Sequence, residues 1–504
     1  MALSKEDFLR ATPDNPPKMP KGVFGPPKSR GPEWPDFPDL RKAVEWFKSY
    51  LPEGDWEKRR IAAFVLLHQR AYGMSDPDAK GRYFDSRDTF GWYLFLAEAF
   101  LDHMWNYEPM FGSRVIPVFA AVGRNRHLLE ALGGVDERML RIVGSERSQP
   151  NGGIFELLTA AAYCRHGAKV SFRPETKGTA RSWDLDVELG GRAYAVECKR
   201  METSEYGDRE RSRMRQLWGP VAHHLAEEEI STFCNVDLFV AAGEVPAEYF
   251  AQKVVQWRSA GNPSMLWKDE ISEGVVGEMD LGPLQRALET DDILSAGTRL
   301  HQLLAGRYIR HANYNQVIRF KQGVSPRYMG DCDLAILFRW QNSSTASIGA
   351  KARDVLRKLA EAHDQLPGDT DSIVHIGFEA VEGDEVEKAR FEKILASTGR
   401  FDAKGKPLRY VYCHYFVPES PPDEAWAFDE TVQWRNITGD LPRPLAEPFL
   451  VLEEGAQCTG DRTGTRRADL LDRTKIEFKS GVEWDDRRPS KSATPGLPIG
   501  VLAT

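Results

Sequence analysis

The spacing of hydrophobic residues divides the chain into a helical N-terminal region and a mixed remainder. From about 39 to 145, apolar residues recur at positions i, i+3 and i+4, as in amphipathic helices. After that, helical spacing alternates with the period of two that is typical of strands. The elements predicted within 146–245 have the order α-β-β-β-α-β and comprise a helix over 153–166, a strand over 169–173, a hairpin around 190–191, a helix over 209–229 and a strand over 235–241.

The flanking segments differ in character from this central part. A proline-rich arm over 12–38 precedes the helices, so that 1–145 forms an arm and a helical N-terminal region. An acidic linker or insertion is predicted over 246–294, and a flexible tail over 483–504. Residues 295–482 are predicted to form a C-terminal α/β region. It could be a separate domain or an extension of the central sheet.

Composition limits the class of protein. The chain has 504 residues, 41% hydrophobic and 28% charged, which suits two to four folded domains. Its net charge of −8 excludes a uniformly basic surface, although a local basic groove could still hold a phosphate backbone. No signal peptide, membrane-spanning apolar run or Cys-x-x-Cys motif is recognised. We therefore expect a cytoplasmic protein with free thiols and no membrane association.

The most informative local feature is the Gly190-Gly191 pair between two alternating runs. Two glycines at this spacing predict a tight β-hairpin, because glycine adopts positive φ at low cost. In that hairpin Asp184 lies directly opposite Glu197, with both side chains on one face. Lys199 follows two residues later and emerges on the same face. Facing carboxylates repel each other, so a lysine or a divalent metal is expected between them.

A second unusual position lies in the helix that precedes the hairpin. Its sequence is almost wholly apolar, yet it contains Glu156 among residues that should be buried. A buried carboxylate needs a positive partner or a metal.

Together these residues resemble the PD-(D/E)XK nuclease superfamily. Glu156 matches the family's helical acid, and Asp184, in Trp-Asp where the family often has Pro-Asp, matches the first motif acid. Glu197 and Lys199 in Val-Glu-Cys-Lys match the second motif. The resemblance covers about a hundred residues. It implies an α/β protein with a restriction-endonuclease-like core (α-β-β-β-α-β) at 146–245, a helical N-terminal region and a further C-terminal α/β region.

The resemblance also implies a metal-dependent chemistry. Asp184, Glu197 and the backbone carbonyl of Cys198 would bind Mg²⁺ or Mn²⁺, while Glu156 would bind a second ion or a metal-bound water. Lys199 would orient the attacking water or stabilise charge on the phosphate. Asp186 pairs with Ala195 rather than with a second acid, so it is the second choice for a metal ligand, with a role at the metal's outer shell as the alternative.

The expected partner is nucleic acid, with DNA favoured over RNA because the resembled superfamily acts mostly on DNA. Four residues could contact phosphates: Arg200, next to Lys199, and Arg209, Arg213 and Gln216 on the helix that follows. An ordinary solvent-exposed helix face explains the three helical residues equally well. The predicted function is an endonuclease, possibly one that defends the genome against foreign DNA. It could also be a homo-oligomer or need an activating protein partner.

Two alternatives remain open at this point. Asp184, Glu197 and Lys199 could form an ordinary exposed ion cluster across the hairpin. The core could also be an inactive relative that binds nucleic acid or serves as a scaffold subunit, although all four motif positions are intact.

Overall fold

The protein is described by a computed structural model. It covers most of the chain, but the arm before residue 37 and the tail after 469 lie outside the described residues. The described ranges are 37–71, 84–102, 109–174, 182–201, 204–291, 293–294, 297–306, 309–323, 328–422, 427–439, 449–452 and 465–469.

The described residues between 37 and 143 form helices and no strand, as the apolar spacing predicts. Their buried faces supply a large core of aromatic and aliphatic side chains that continues into the first sheet. No helix in the described ranges is long and apolar enough to cross a membrane. The helices are α1 (Pro38–Ser49), α2 (Asp55–Ala71), α3 (Thr89–Asp102), α4 (Pro109–Arg124), α5 (Arg126–Leu129) and α6 (Val135–Val143).

Two mixed sheets make up the rest of the described fold. The first has seven strands in the order β1-β2-β3-β10-β11-β12-β13, and the second has β5-β6-β4-β9-β7 with β8 paired to β9. The first sheet contains β1 (Lys169–Phe172), β2 (Leu185–Leu189), β3 (Arg192–Met201), β10 (Ser372–Glu379), β11 (Leu408–Glu419), β12 (Ala427–Asn436) and β13 (Thr465–Asp469). The second contains β4 (Thr232–Leu238), β5 (Ser264–Lys268), β6 (Ser272–Glu278), β7 (Ile293–Leu294), β8 (Asn313–Gln322) and β9 (Tyr328–Asn342).

Helices cover both sheets and connect them. The largest is a long helix that leaves β3 and leads to the second sheet. These helices are α7 (Asn151–Arg165), α8 (Glu205–Glu227), α9 (Tyr249–Ala260), α10 (Gly282–Thr290), α11 (Thr298–Ala305), α12 (Thr345–Lys351), α13 (Leu356–Gln365) and α14 (Asp384–Thr398).

The strand predicted to close the central unit lies elsewhere. β4, expected next to the hairpin, pairs with β6 and β9 in the second sheet, so this part of the prediction is wrong. β3 instead pairs in parallel with β10, which follows it in the sequence by 170 residues (202–371). Helix α13 packs against both β3 and β10 and makes the crossover between them. The second sheet is therefore inserted between two neighbouring strands of the first.

The segments around the central unit follow this topology. The stretch 246–294, expected to be an acidic linker or an insertion, forms helices and strands of the second sheet. The C-terminal region divides between the sheets: β8 and β9 join the second, whereas β10 to β13 extend the first. The first sheet thus extends into the C-terminal region from β10 onwards.

A buried ionic cluster joins the two chain segments that connect the sheets. Glu210 on α8 forms an ion pair with Lys351 at the end of α12, and both side chains are almost completely buried. The Glu210 carboxylate also accepts hydrogen bonds from Asn342 Nδ2 (2.8 Å) and Ser347 Oγ (2.6 Å). This cluster fixes the outgoing helix against the returning chain.

The Gly-Gly hairpin has the predicted register. Leu185 pairs with Val196 and Leu189 with Arg192. Gly190 and Gly191 adopt φ values of 60° and 76°, the left-handed conformation required by a two-residue turn.

Replacing Gly191 by alanine should weaken the fold through backbone strain alone, because no atom lies within 4 Å of the added Cβ. We expect the free energy of unfolding to fall by about 1–2 kcal/mol, measured by urea denaturation. Gly152→Ala is the matched control, because Gly152 is helical, lacks positive φ and is equally uncrowded. It should leave stability unchanged or raise it by up to about 1 kcal/mol. Equal losses in both variants would contradict the turn assignment.

A chain of buried polar side chains crosses the first sheet. Tyr163 Oη lies 2.9 Å from His375 Nε2, His375 Nδ1 lies 3.0 Å from His414 Nε2, and His414 Nδ1 lies 2.8 Å from Glu430 Oε1. The Glu430 carboxylate also accepts the backbone N–H groups of residues 451 and 452. Because the Glu430 carboxylate is the acceptor at the end of this chain, the hydrogen bonds run in one direction: both histidines donate through Nδ1, and Tyr163 donates to His375.

Candidate active site

The two motif carboxylates meet at the open end of the hairpin. Asp184 immediately precedes β2, and its backbone N–H donates to Val196 O (3.1 Å), although Val196 is the register partner of Leu185. Its Oδ2 accepts a hydrogen bond from Cys198 N (2.8 Å). The Glu197 carboxyl group lies beside that of Asp184, and Glu197 has 0% exposure, compared with 9% for Asp184. The alternative of an exposed ion cluster is therefore excluded.

Glu156 is connected to the two carboxylates by an arginine that contacts both Glu156 and Asp184. It lies on α7, buried as its apolar neighbours require, and its Oε2 is 2.9 Å from Arg138 Nη1. Arg138 Nη2 is 3.6 Å from Asp184 Oδ1. The guanidinium thus bridges the helical acid and the first motif acid.

Five charged groups form what we call the site cluster. Arg138 links Glu156 and Asp184, and Lys199 forms an ion pair with Glu197. Three carboxylates therefore face two cations. Among the described residues, one negative charge of the cluster remains uncompensated in a mostly buried environment, where a lone charge is costly. The cluster must take up either a proton or a further cation.

The pKa shifts within the cluster follow from burial and mutual repulsion. Burial, and then the neighbouring Asp184, raise the pKa of Glu156 to about 8 and that of Glu197 to about 9. Burial also raises the pKa of Asp184, although Arg138 opposes the shift. For Lys199, burial lowers the pKa, but the Glu197 carboxylate outweighs it and the net shift is upward. Without a metal, the cluster therefore holds a proton at neutral pH.

This retained proton predicts a pH dependence of stability in the absence of metal. The pKa values of Glu156 and Glu197 are higher in the folded protein than in the unfolded chain. Their protonation therefore stabilises the fold fully below about pH 4.5, and this contribution to the free energy of unfolding is lost as the pH rises towards about 9. For each retained proton, the free energy of unfolding falls by about 1.4 kcal/mol per pH unit in this range. In EDTA, Glu197→Gln should make this dependence shallower by the amount that corresponds to about one proton. The measurement is urea unfolding between pH 6.5 and 9.

Glu188→Gln is the control for this experiment, because Glu188 lies on the same hairpin but is exposed and paired with Lys169. It should leave the slope unchanged. Identical slopes for the natural protein and Glu197→Gln would show that the cluster holds no proton there.

The donor atoms of the pair suit a hard divalent cation. The carboxyl groups of Asp184 and Glu197 approach within hydrogen-bonding reach of each other. Glu197 Oε2 is buried and receives no N–H donor from the described residues. In the described ranges no three His, Cys, Asp or Glu side chains form a ready-made metal site, so a third ligand would come from the backbone or from water.

The backbone carbonyl of Cys198 lies on the required side of β3. Ala195 N donates to Asp371 O, towards β10, whereas Val196 O and Cys198 N both bond to Asp184. In an extended strand the N–H and C=O of one residue point the same way. The Cys198 carbonyl therefore faces Asp184, and with the two carboxylates it offers three hard oxygen donors that fit Mg²⁺ or Mn²⁺.

Asp186, the secondary candidate, belongs to a different group of contacts. It pairs with Ala195 in the hairpin, as predicted. Its carboxylate accepts a hydrogen bond from Trp183 Nε1 (2.7 Å) and lies 3.4 Å from the Arg173 guanidinium, which stacks over the Trp183 ring. Asp186 thus fixes the stacked side chains of Arg173 and Trp183 next to Asp184.

The residues predicted to contact nucleic acid are spread over two surfaces. Arg209 and Gln216 are exposed on α8, and Arg213 is half-buried, with its guanidinium donating to Val245 O (2.9 Å). Arg200 lies on the face of β3 opposite Lys199, against Phe416. Contact of these four residues with nucleic acid stays a prediction.

Sequence reasoning missed Arg138. It lies on α6, between the buried residues Val135, Met139 and Ile142 of the helix's apolar face. A charged residue within an apolar stripe is the same signal that singled out Glu156. Applied to 135–143, that signal would have identified the arginine.

Comparison with known proteins adds no assignment. No protein-family model matches this sequence, and no curated protein has a significantly similar sequence.

Proposed function

We propose that the protein is a metal-dependent endonuclease that hydrolyses phosphodiester bonds, with DNA as the favoured substrate. The observation that carries this proposal is the charge imbalance of the site cluster. Two adjoining carboxylates lie beside a lysine, and within the described part of the chain one of their buried oxygens lacks an N–H donor and one excess negative charge remains. A divalent cation would neutralise that charge without a proton.

The cluster residues divide the chemistry between them. Asp184, Glu197 and the Cys198 carbonyl would hold Mg²⁺ or Mn²⁺, which supplies the positive charge that polarises a phosphate and promotes ionisation of water. Lys199, 19% exposed at its side chain, can donate to the attacking water or to a non-bridging phosphate oxygen. Arg138 acts from behind the pair as a positioning residue that holds Asp184 and neutralises Glu156.

The arrangement of elements supports the same proposal. In chain order, α7, β1, β2, β3, α13 and β10 repeat the α-β-β-β-α-β sequence of the PD-(D/E)XK core, with β10 parallel to β3. The exposed Arg209 and Gln216 on α8 are candidates for phosphate contacts near the site. A role in defence against foreign DNA is the physiological part of the proposal.

The decisive experiment offers the full chain several nucleic acids with Mg²⁺, Mn²⁺ or EDTA. The substrates are supercoiled plasmid, linear duplex, single-stranded DNA and RNA. Together they distinguish cleavage of DNA from cleavage of RNA, and internal cutting from cutting at the ends. We expect nicked or linear plasmid with either metal and none in EDTA. Asp184→Asn should remove this cleavage.

Cleavage that survives Asp184→Asn would overturn the site. No cleavage of any substrate, combined with unchanged binding to DNA, would favour the alternative of an inactive core that binds nucleic acid or serves as a scaffold. Arg138, which already supplies a fixed positive charge between two of the acids, is the observation that keeps this alternative open.

A further inference from the structure

A second polar site lies on the face of the first sheet opposite Lys199. There the side chain of Arg200 lines a cavity of about 40 Å³, partly open to solvent, between helices α3, α4 and α7 and the sheet. Hydrophobic side chains form most of its wall, including Phe155, Phe416 and Phe428. The cavity has room for about three water molecules or one small anion, and not for a nucleic-acid backbone.

Three charged side chains line this cavity. The Glu379 carboxylate lies 3.2 Å from Arg114 Nη1 and 3.5 Å from Arg200 Nη2. Two guanidinium groups therefore share one carboxylate, which leaves a net charge of +1 among the lining residues. Arg200 is 12% exposed at its side chain, and its guanidinium carbon lies 5.0 Å from the centre of the Phe416 ring.

One donor of this group has no acceptor. Arg200 Nη1 is buried and makes no hydrogen bond with the described residues. A buried guanidinium with an unused donor is costly unless an acceptor binds to it. The hydroxyl of Tyr93 and the amide of Asn151, 3.2 Å apart, provide further polar atoms on the wall.

From this geometry we infer that the cavity binds a small anion through a phosphate or carboxylate group. That group would bond to Arg200, with Arg114 adding charge. A guanidinium suits such a group because its planar fork can donate two parallel hydrogen bonds. This inference does not depend on nuclease activity, because Arg200 and Lys199 emerge from opposite faces of β3.

The test is calorimetric titration of the metal-free full chain in EDTA, which keeps the probes from a metal at the site cluster. Inorganic phosphate tests the anion alone, adenosine 5′-monophosphate tests a phosphate with an aromatic body, and benzoate tests a carboxylate. We expect saturable binding of at least one of these probes. Arg200→Met should weaken it at least tenfold.

A second variant acts in the opposite direction. Glu379→Gln removes the competing carboxylate at nearly constant shape and should tighten binding. Arg173→Met is the control, because Arg173 also stacks on an aromatic ring and pairs with an acid but lines no part of this cavity. It should leave affinity unchanged. Absence of binding by every probe, or binding that neither Arg200→Met nor Glu379→Gln alters, would overturn the inference.

Discussion

Replacing Lys199 by methionine is expected to reduce metal-dependent cleavage of plasmid DNA by at least about a hundredfold, the typical cost of losing one group that stabilises developing charge. Methionine keeps most of the side chain's length but removes its charge. The same change adds one uncompensated negative charge to the site cluster. Affinity for Mg²⁺, measured by calorimetry, should therefore stay the same or increase while the cleavage rate falls.

Lys169→Met is the matched control. Lys169 lies on the neighbouring strand β1 and pairs with Glu188, but its side chain is 80% exposed and makes no contact with the cluster. We expect natural cleavage rates from this variant. Equal cleavage rates in the two variants would show that Lys199 takes no part in the reaction.

Glu430→Ala is expected to cause the largest loss of stability, about 3–5 kcal/mol, measured by urea unfolding of the full chain. Glu430 is 1% exposed and ends the chain of hydrogen bonds that begins at Tyr163. Without its carboxylate, His414 Nδ1–H and the backbone N–H groups of residues 451 and 452 lose their acceptor inside the core. Buried donors left without partners account for the penalty.

Glu188→Ala provides the comparison, because Glu188 also belongs to a hydrogen-bonded ion pair in the first sheet. That pair is exposed, so its loss should cost no more than about 1 kcal/mol. Similar losses in the two variants would show that the buried chain of side chains contributes no more than a surface contact.

The parts of the site that follow from local rules were predictable from sequence. The Gly190-Gly191 pair fixes the turn, the turn fixes the register up to Leu185 and Val196, and the next residues, Asp184 and Glu197, come together at its end. The burial of Glu156 follows from its apolar helix. Each inference uses residues within one element or one hairpin.

The remaining features depend on contacts between distant segments. The pattern at 373–379 predicts a strand close to the observed β10, but alternation cannot show that its partner is β3. For the same reason 235–241 was assigned to the wrong sheet. Arg138 reaches Glu156 and Asp184 only after α6 packs beside α7, a tertiary arrangement that spacing does not specify.

The insertion between β3 and β10 has a consequence for biosynthesis. When the hairpin leaves the ribosome, the strand that must lie beside β3 has not been translated, and the intervening 170 residues (202–371) take on the order of ten seconds to synthesise. During that interval β3 has an unsatisfied edge, a surface prone to aggregation or chaperone binding. A fragment ending near 245 keeps that edge permanently open, so a fragment that carries the site cluster must continue at least through β10.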